Sequence, residues 1–267
     1  YLDNWLSSSR STLGVNENFA RETLELHTPG IIDGVQPYGQ ADVQGLANVL
    51  SGFSITPLSS TDCRFFYNSA YHAPLPVSLL GGAWSTPGRS GDASEQDGIS
   101  ALTFLARRPE TARHLAWKLC RRFVADDPPD ALVSELAQVY LANDTRIAPV
   151  LRALFHSSTF FASAPKYRRG LEAIVASMRA TDATLDPNPT GSGAANVTTH
   201  LGRVGQALFN RPSPDGYPDT RAEWLSSEAA LKRWSWNGQL ARNALTGITV
   251  DAATLMGSPQ PTTGGAL

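Results

Sequence analysis

Apolar positions recur at helical spacing over most of this chain. Residues 40–52 place Val43, Leu46, Ala47 and Leu50 on one face. From Asp97 onward the pattern is continuous, with helices predicted at 98–108, 109–123, 130–142, 146–156, 166–180, 197–209, 219–232 and 235–246. In 109–123, Leu115, Leu119, Cys120 and Phe123 point one way, and His114, Lys118, Arg121 and Arg122 the other. The period breaks between residues 53 and 80. There Phe53-Ser-Ile and Arg64-Phe-Phe-Tyr suit a small hairpin, with Phe65 and Tyr67 on one side. Gly, Ser and Pro make loops of 82–96 and 181–196, and residues 257–267 read as a flexible tail. The expected fold is mainly α: one helical domain over 1–256, with at most a small β-hairpin between 53 and 80.

The polar pattern is densest at 16–27. Asn16 suits a helix N-cap, Glu17 places a negative charge where the helix dipole favours it, and Pro29-Gly30 ends the helix. At about 100° per residue, Glu17, Asn18, Arg21, Glu22 and Glu25 share one side, while Phe19, Leu24 and His27 fall on the other. Glu17, Arg21 and Glu25 stand at i,i+4 spacing, so ion pairs along a solvated face explain part of the pattern. A face carrying Asn18, Glu22 and Glu25 is also a candidate metal or acid–base site. The basic row of 109–123 offers it a partner, either as a structural ion pair or as an anion pocket recognised by Arg.

Composition narrows the classes. The net charge of −2 gives no field for nucleic acid or an anionic membrane, and no apolar run reaches the ~20 residues of a membrane span. Cys63 and Cys120 leave a disulfide and two separate thiols both open. There is no Cys-x-x-Cys-His, Walker loop, Gly-x-Gly-x-x-Gly, His-Glu-x-x-His or Gly-x-Ser-x-Gly, so haem, nucleotide and dinucleotide cofactors have no motif here.

Asn16-Glu-Asn-Phe-Ala-Arg-Glu, then Glu25-Leu-His-Thr-Pro-Gly, resembles the signature of the bacterial family known as domain of unknown function 1800. The likeness continues in Asp42-Val, in Phe65, Tyr67, His72 and Gly81, in the run from Ala112 to Pro129, and in Pro212 to Trp224. Where the family often has Asp and Lys after the histidine, this chain has Ala73 and Val77. The resemblance implies the C-terminal part of a longer helical domain, with a preceding region of the same protein or a second chain covering Trp5 and Leu6. It also implies export, to the periplasm or outside the cell, and an exported partner protein.

Two functional classes follow. One is an enzyme with an acidic or divalent-metal site: Glu22, Glu25 and His72 as catalytic and metal-binding residues, with Asn18, Arg21 and Arg122 binding substrate. The other is a non-enzymatic binding module acting through loops 53–96 and 181–196, whose rings offer stacking or packing surfaces.

Overall fold

A 3-10 turn, Asn4–Leu6, leads to helix α1 (Asn18–Glu22), which widens without a break into a π-helical turn, Thr23–His27. Helix α2 (Gln40–Leu50) follows, and Asp42 starts it by accepting a 2.8 Å hydrogen bond from Gly39 N. The other Asp42 oxygen accepts from Leu80 N at 2.6 Å, tying α2 to a hairpin and bracing Leu80 at a φ of 51°. Gly45 makes the approach possible, since a Cβ there would stand 2.9 Å from a Val77 methyl. The computed structural model describes residues 2–10, 14–32, 34–56, 64–188, 190–255 and 257.

Strands β1 (Phe53–Ile55) and β2 (Phe65–Tyr67) pair antiparallel, Phe53 opposite Tyr67. Strands β3 (Val77–Leu79) and β4 (Trp84–Thr86) form a second antiparallel pair. Then come α3 (Glu95–Ala106), α4 (Pro109–Phe123), α5 (Asp130–Ala142), α6 (Ile147–His156) and α7 (Ser158–Ala162). Pro109 opens α4 at the position where a missing N–H costs nothing. Leu24, Leu46, Leu50, Leu79 and Leu105 pack in one cluster, and Ala116, Cys120, Leu136 and Leu154 in another. The seam between α3 and the later helices is hydrogen-bonded: Thr111 Oγ1 donates to Leu105 O (2.6 Å) and Tyr140 OH to Ala106 O (3.0 Å). These elements make up a first compact unit, Tyr1–Ala164.

The second unit, Pro165–Leu267, takes in the last part of the span 1–256 that the periodicity treats as one domain, and the tail after it. It holds α8 (Gly170–Ala180), β5 (Thr184–Leu185), α9 (Ser192–Arg203), α10 (Arg221–Trp224), α11 (Ser227–Ala241), β6 (Ile248–Thr249) and α12 (Ala252–Leu255). Ile174, Leu201, Trp236, Leu240 and Ile248 form its core. Gly193 meets Gly247 backbone to backbone; a Cβ on Gly193 would come within 2.6 Å of Gly247 O.

The mainly α class stands, and α4 and α5 begin and end where the apolar period says. Strand is not confined to 53–80, however: β4 lies beyond it, and β5 pairs with β6. Strands of two or three residues carry too little alternation to register. The loops also hold more order than their composition implies. β4 and the start of α3 fall within 82–96, and α9 begins at Ser192, where the Gly193–Gly247 contact docks it. The break expected near residue 233 falls instead at Ser226, which caps α11 by accepting from Ala229 N at 3.0 Å. Cys63 and residues 258–267 lie outside the described residues, while Cys120 is a buried free thiol.

Candidate functional site

Asn16 Oδ1 accepts from Asn18 N at 2.9 Å and starts α1. One turn on, Arg21 meets Glu17 at 3.2 Å, the expected i,i+4 pair. Gln40 bridges both: its amide nitrogen donates to Glu17 Oε2 (2.7 Å), and its oxygen accepts from Arg21 Nη2 (3.0 Å). The guanidinium is thus engaged by its own helix and by α2. Asn18 is exposed, while Glu22 and Glu25 are half-buried. Tyr38 is buried on the approach to α2. Burial above all, then the charge of Glu25, raises its phenol to about 12; Arg21 opposes this and Glu22 adds to it.

The other end of the motif meets α4. Thr28 Oγ1 closes the π turn by donating to Thr23 O at 2.6 Å, and Gly30 N donates to Leu24 O at 2.8 Å. Lys118 Nζ donates to Leu26 O at 2.8 Å. His114 Nδ1 lies 2.8 Å from Thr28 O, so that nitrogen carries the proton. Gly30 sits at φ +68° with the His114 ring where its Cβ would be. Two members of the basic row thus cap carbonyls at a helix C-terminus, the end where positive charge is favoured. Burial lowers the His114 pKa, with Lys118 and His27 adding to this and the Thr28 bond opposing it. His27 is exposed at the rim, and its pKa too is lowered, by partial desolvation first and Lys118 second.

His72 is placed elsewhere. It is buried, with Nδ1 3.1 Å from Ser51 O and its ring 6.2 Å from Tyr67. Ser9 Oγ donates to its carbonyl, and Ser51 Oγ accepts from Ala73 N, so His72 stitches a loop to the end of α2. Arg122 lies over the Phe123 ring at 5.7 Å. Among the described residues, no three of His, Cys, Asp and Glu stand where they could hold one metal ion, so Glu22, Glu25 and His72 do not form such a set. What Glu25, Arg21 and Glu22 share is that their charges act on the Tyr38 phenol.

Tyr38 and Gln40 are the site residues that sequence reasoning passes over. Their turn, Gln36-Pro-Tyr-Gly-Gln, shows only as punctuation, and its polar residues give no periodic signal. A second feature stands nearby in the chain. The β1–β2 hairpin and the segment after it leave Phe65 56%, Phe66 39%, Tyr71 36% and Leu75 51% exposed.

A mainly helical chain with a polar helix packed on α2 and α4 is the class that this geometry defines. The chain matches the family described as "Protein of unknown function (DUF1800)" over residues 1–264, and it belongs to that family. No curated protein and no solved structure matches it.

Proposed function

We propose that the protein is an exported binding module, and that its first unit docks a partner protein through the rings around the β1–β2 hairpin. The observation that carries this is the exposure of Phe65, Phe66, Tyr71 and Leu75 in one short segment. Exposed aromatic and aliphatic side chains held on ordered backbone are what interfaces use as anchors. Phe65 is held at its base by Phe53, ring centroids 5.6 Å apart, so its position is set before any partner arrives. The polar signature of α1 is taken up within the chain: Arg21 by Glu17 and Gln40, the π end by Lys118 and His114. Its part in this reading is to fix α1, α2 and α4 as the frame behind the hairpin. Export rests on the family resemblance.

A photo-crosslinking residue at position 65 tests the reading in the producing cell, with the same residue at the exposed helix position 135 as reference. One discrete adduct from 65, absent from 135 and lost when Phe66→Ala and Tyr71→Ala are added, is expected. No adduct, or the same ladder from both positions, overturns it. So does a stoichiometric metal in the purified protein that Glu22→Ala or Glu25→Ala removes, which would restore the metal-assisted enzyme built on Glu22, Glu25 and His72.

A further inference from the structure

The second unit carries a cavity of about 290 Å³ between the end of α9, the segment before α10 and the start of α11. Arg203, Arg211 and Lys232 line it, together with Glu223 and the rings of Tyr217 and Trp224. Each charged group is held differently. Lys232 is paired with Glu228 at 2.6 Å, and Arg211 with Asp215 at 3.4 Å. Glu223 accepts from Thr220 Oγ1 at 2.8 Å. Among the described residues Arg203 has no carboxylate partner; its guanidinium donates to His200 Nε2 at 3.3 Å.

That contact orients the arginine. His200 is buried against Trp236, ring centroids 4.9 Å apart. Its Nδ1 stands 2.9 Å from Asn196 O, a pure acceptor, so Nδ1 carries the proton and Nε2 offers a lone pair. The imidazole therefore takes one N–H of Arg203 without neutralising its charge. The remaining donors of the fork are left to meet an anion, and a carboxylate fits that fork in bidentate fashion.

The other walls specify the rest of the ligand. Tyr217 and Trp224 pack at 5.9 Å, and their hydroxyl and indole N–H are satisfied by Ala207 O and Pro218 O at 2.7 Å each. They present ring surface, not donors. Glu223 has oxygen lone pairs left to accept from hydroxyls. A cation fork, a carboxylate and aromatic surface together suit a hydroxylated ring that bears an acid group.

We infer that this cavity is a binding site for a sugar acid of the hexuronate class, with its carboxylate on Arg203 and a hydroxyl on Glu223. Calorimetric titration of the full chain tests it with D-glucuronate, D-glucose, benzoate and inorganic phosphate as probes. Saturable binding of glucuronate is expected, with each of the other three weaker by roughly tenfold or more. Arg203→Gln should lose binding by a similar factor while keeping the parent's circular dichroism spectrum, and Arg203→Lys should recover part. Equal binding of glucose or phosphate, or an Arg203→Gln protein that titrates like the parent, overturns the assignment. Glu223→Gln decides should Arg203→Gln not fold: weaker glucuronate binding supports the site, and unchanged binding refutes it.

Discussion

Replacing Gly30 by alanine tests the joint between α1 and α4. Three terms set the cost. A φ of +68° puts an L-residue in the left-handed region, costing ~1–2 kcal/mol. The new Cβ overlaps the His114 imidazole, which must move and give up its bond to Thr28 O; an unsatisfied buried carbonyl costs ~1–3 kcal/mol. Against these, alanine restricts the unfolded chain and returns ~0.4–1 kcal/mol. The net loss should be about 2–4 kcal/mol, read as a shift of the urea unfolding curve of the full chain. The same change in a His114→Ala background removes the second term and should cost only about 1 kcal/mol. The coupling energy of the double-mutant cycle thus isolates the ring contact. A Gly30→Ala cost below ~0.5 kcal/mol, or an equal cost in both backgrounds, would refute the packing described here.

Further outcomes follow from the same region. His114 and His27 have pKa values lowered in the fold, so between those values and the unfolded ~6.5 the unfolded chain binds more protons. Stability should therefore fall as the pH drops below about 6.5 and level off at lower pH; urea midpoints across pH should show it, with a shallower fall in His114→Ala. Lys118→Ala should strand Leu26 O and cost ~1–2 kcal/mol, and the His27 pKa, followed by NMR titration, should rise toward its ordinary value. Burial pushes the Cys120 thiol up to about 11, so in a Cys63→Ser background a thiol reagent at neutral pH should label it only once the protein unfolds.

The helices were legible where an apolar stripe repeats, because burial on one face is what holds them. α4 has the expected bounds but a turned face: Cys120 is inward with Ala112, Ala116 and His114, while Leu115 and Leu119 are only partly covered and Phe123 is exposed. What lay beyond reading was long-range. Val77 and Leu79 against Gly45, Gly193 against Gly247, and Asp42 reaching Leu80 are contacts that no local period encodes. The candidate site divides in the same way. Glu17 with Arg21 is an i,i+4 pair, and it is where the spacing puts it. Lys118 and His114 do meet the motif, but at main-chain carbonyls, and carbonyls leave no mark in a pattern of side chains. The sequence places His72 in a family position; only the fold shows its ring turned to Ser51 O.

The widened turn at Thr23–His27 sets a phase. A π turn takes about one residue more than an α turn, so each residue beyond it lies about 100° less far round the axis than a plain α-helix of the same sequence would carry it. The same residues wound as a plain α-helix would still coil, but each would sit out of that phase. Gly30 would no longer come to rest against the His114 ring, and Leu26 and Thr28 would present their carbonyls to the wrong side of α4. The extra residue works like an added tooth on a gear. It leaves the shaft in place and changes which neighbours mesh.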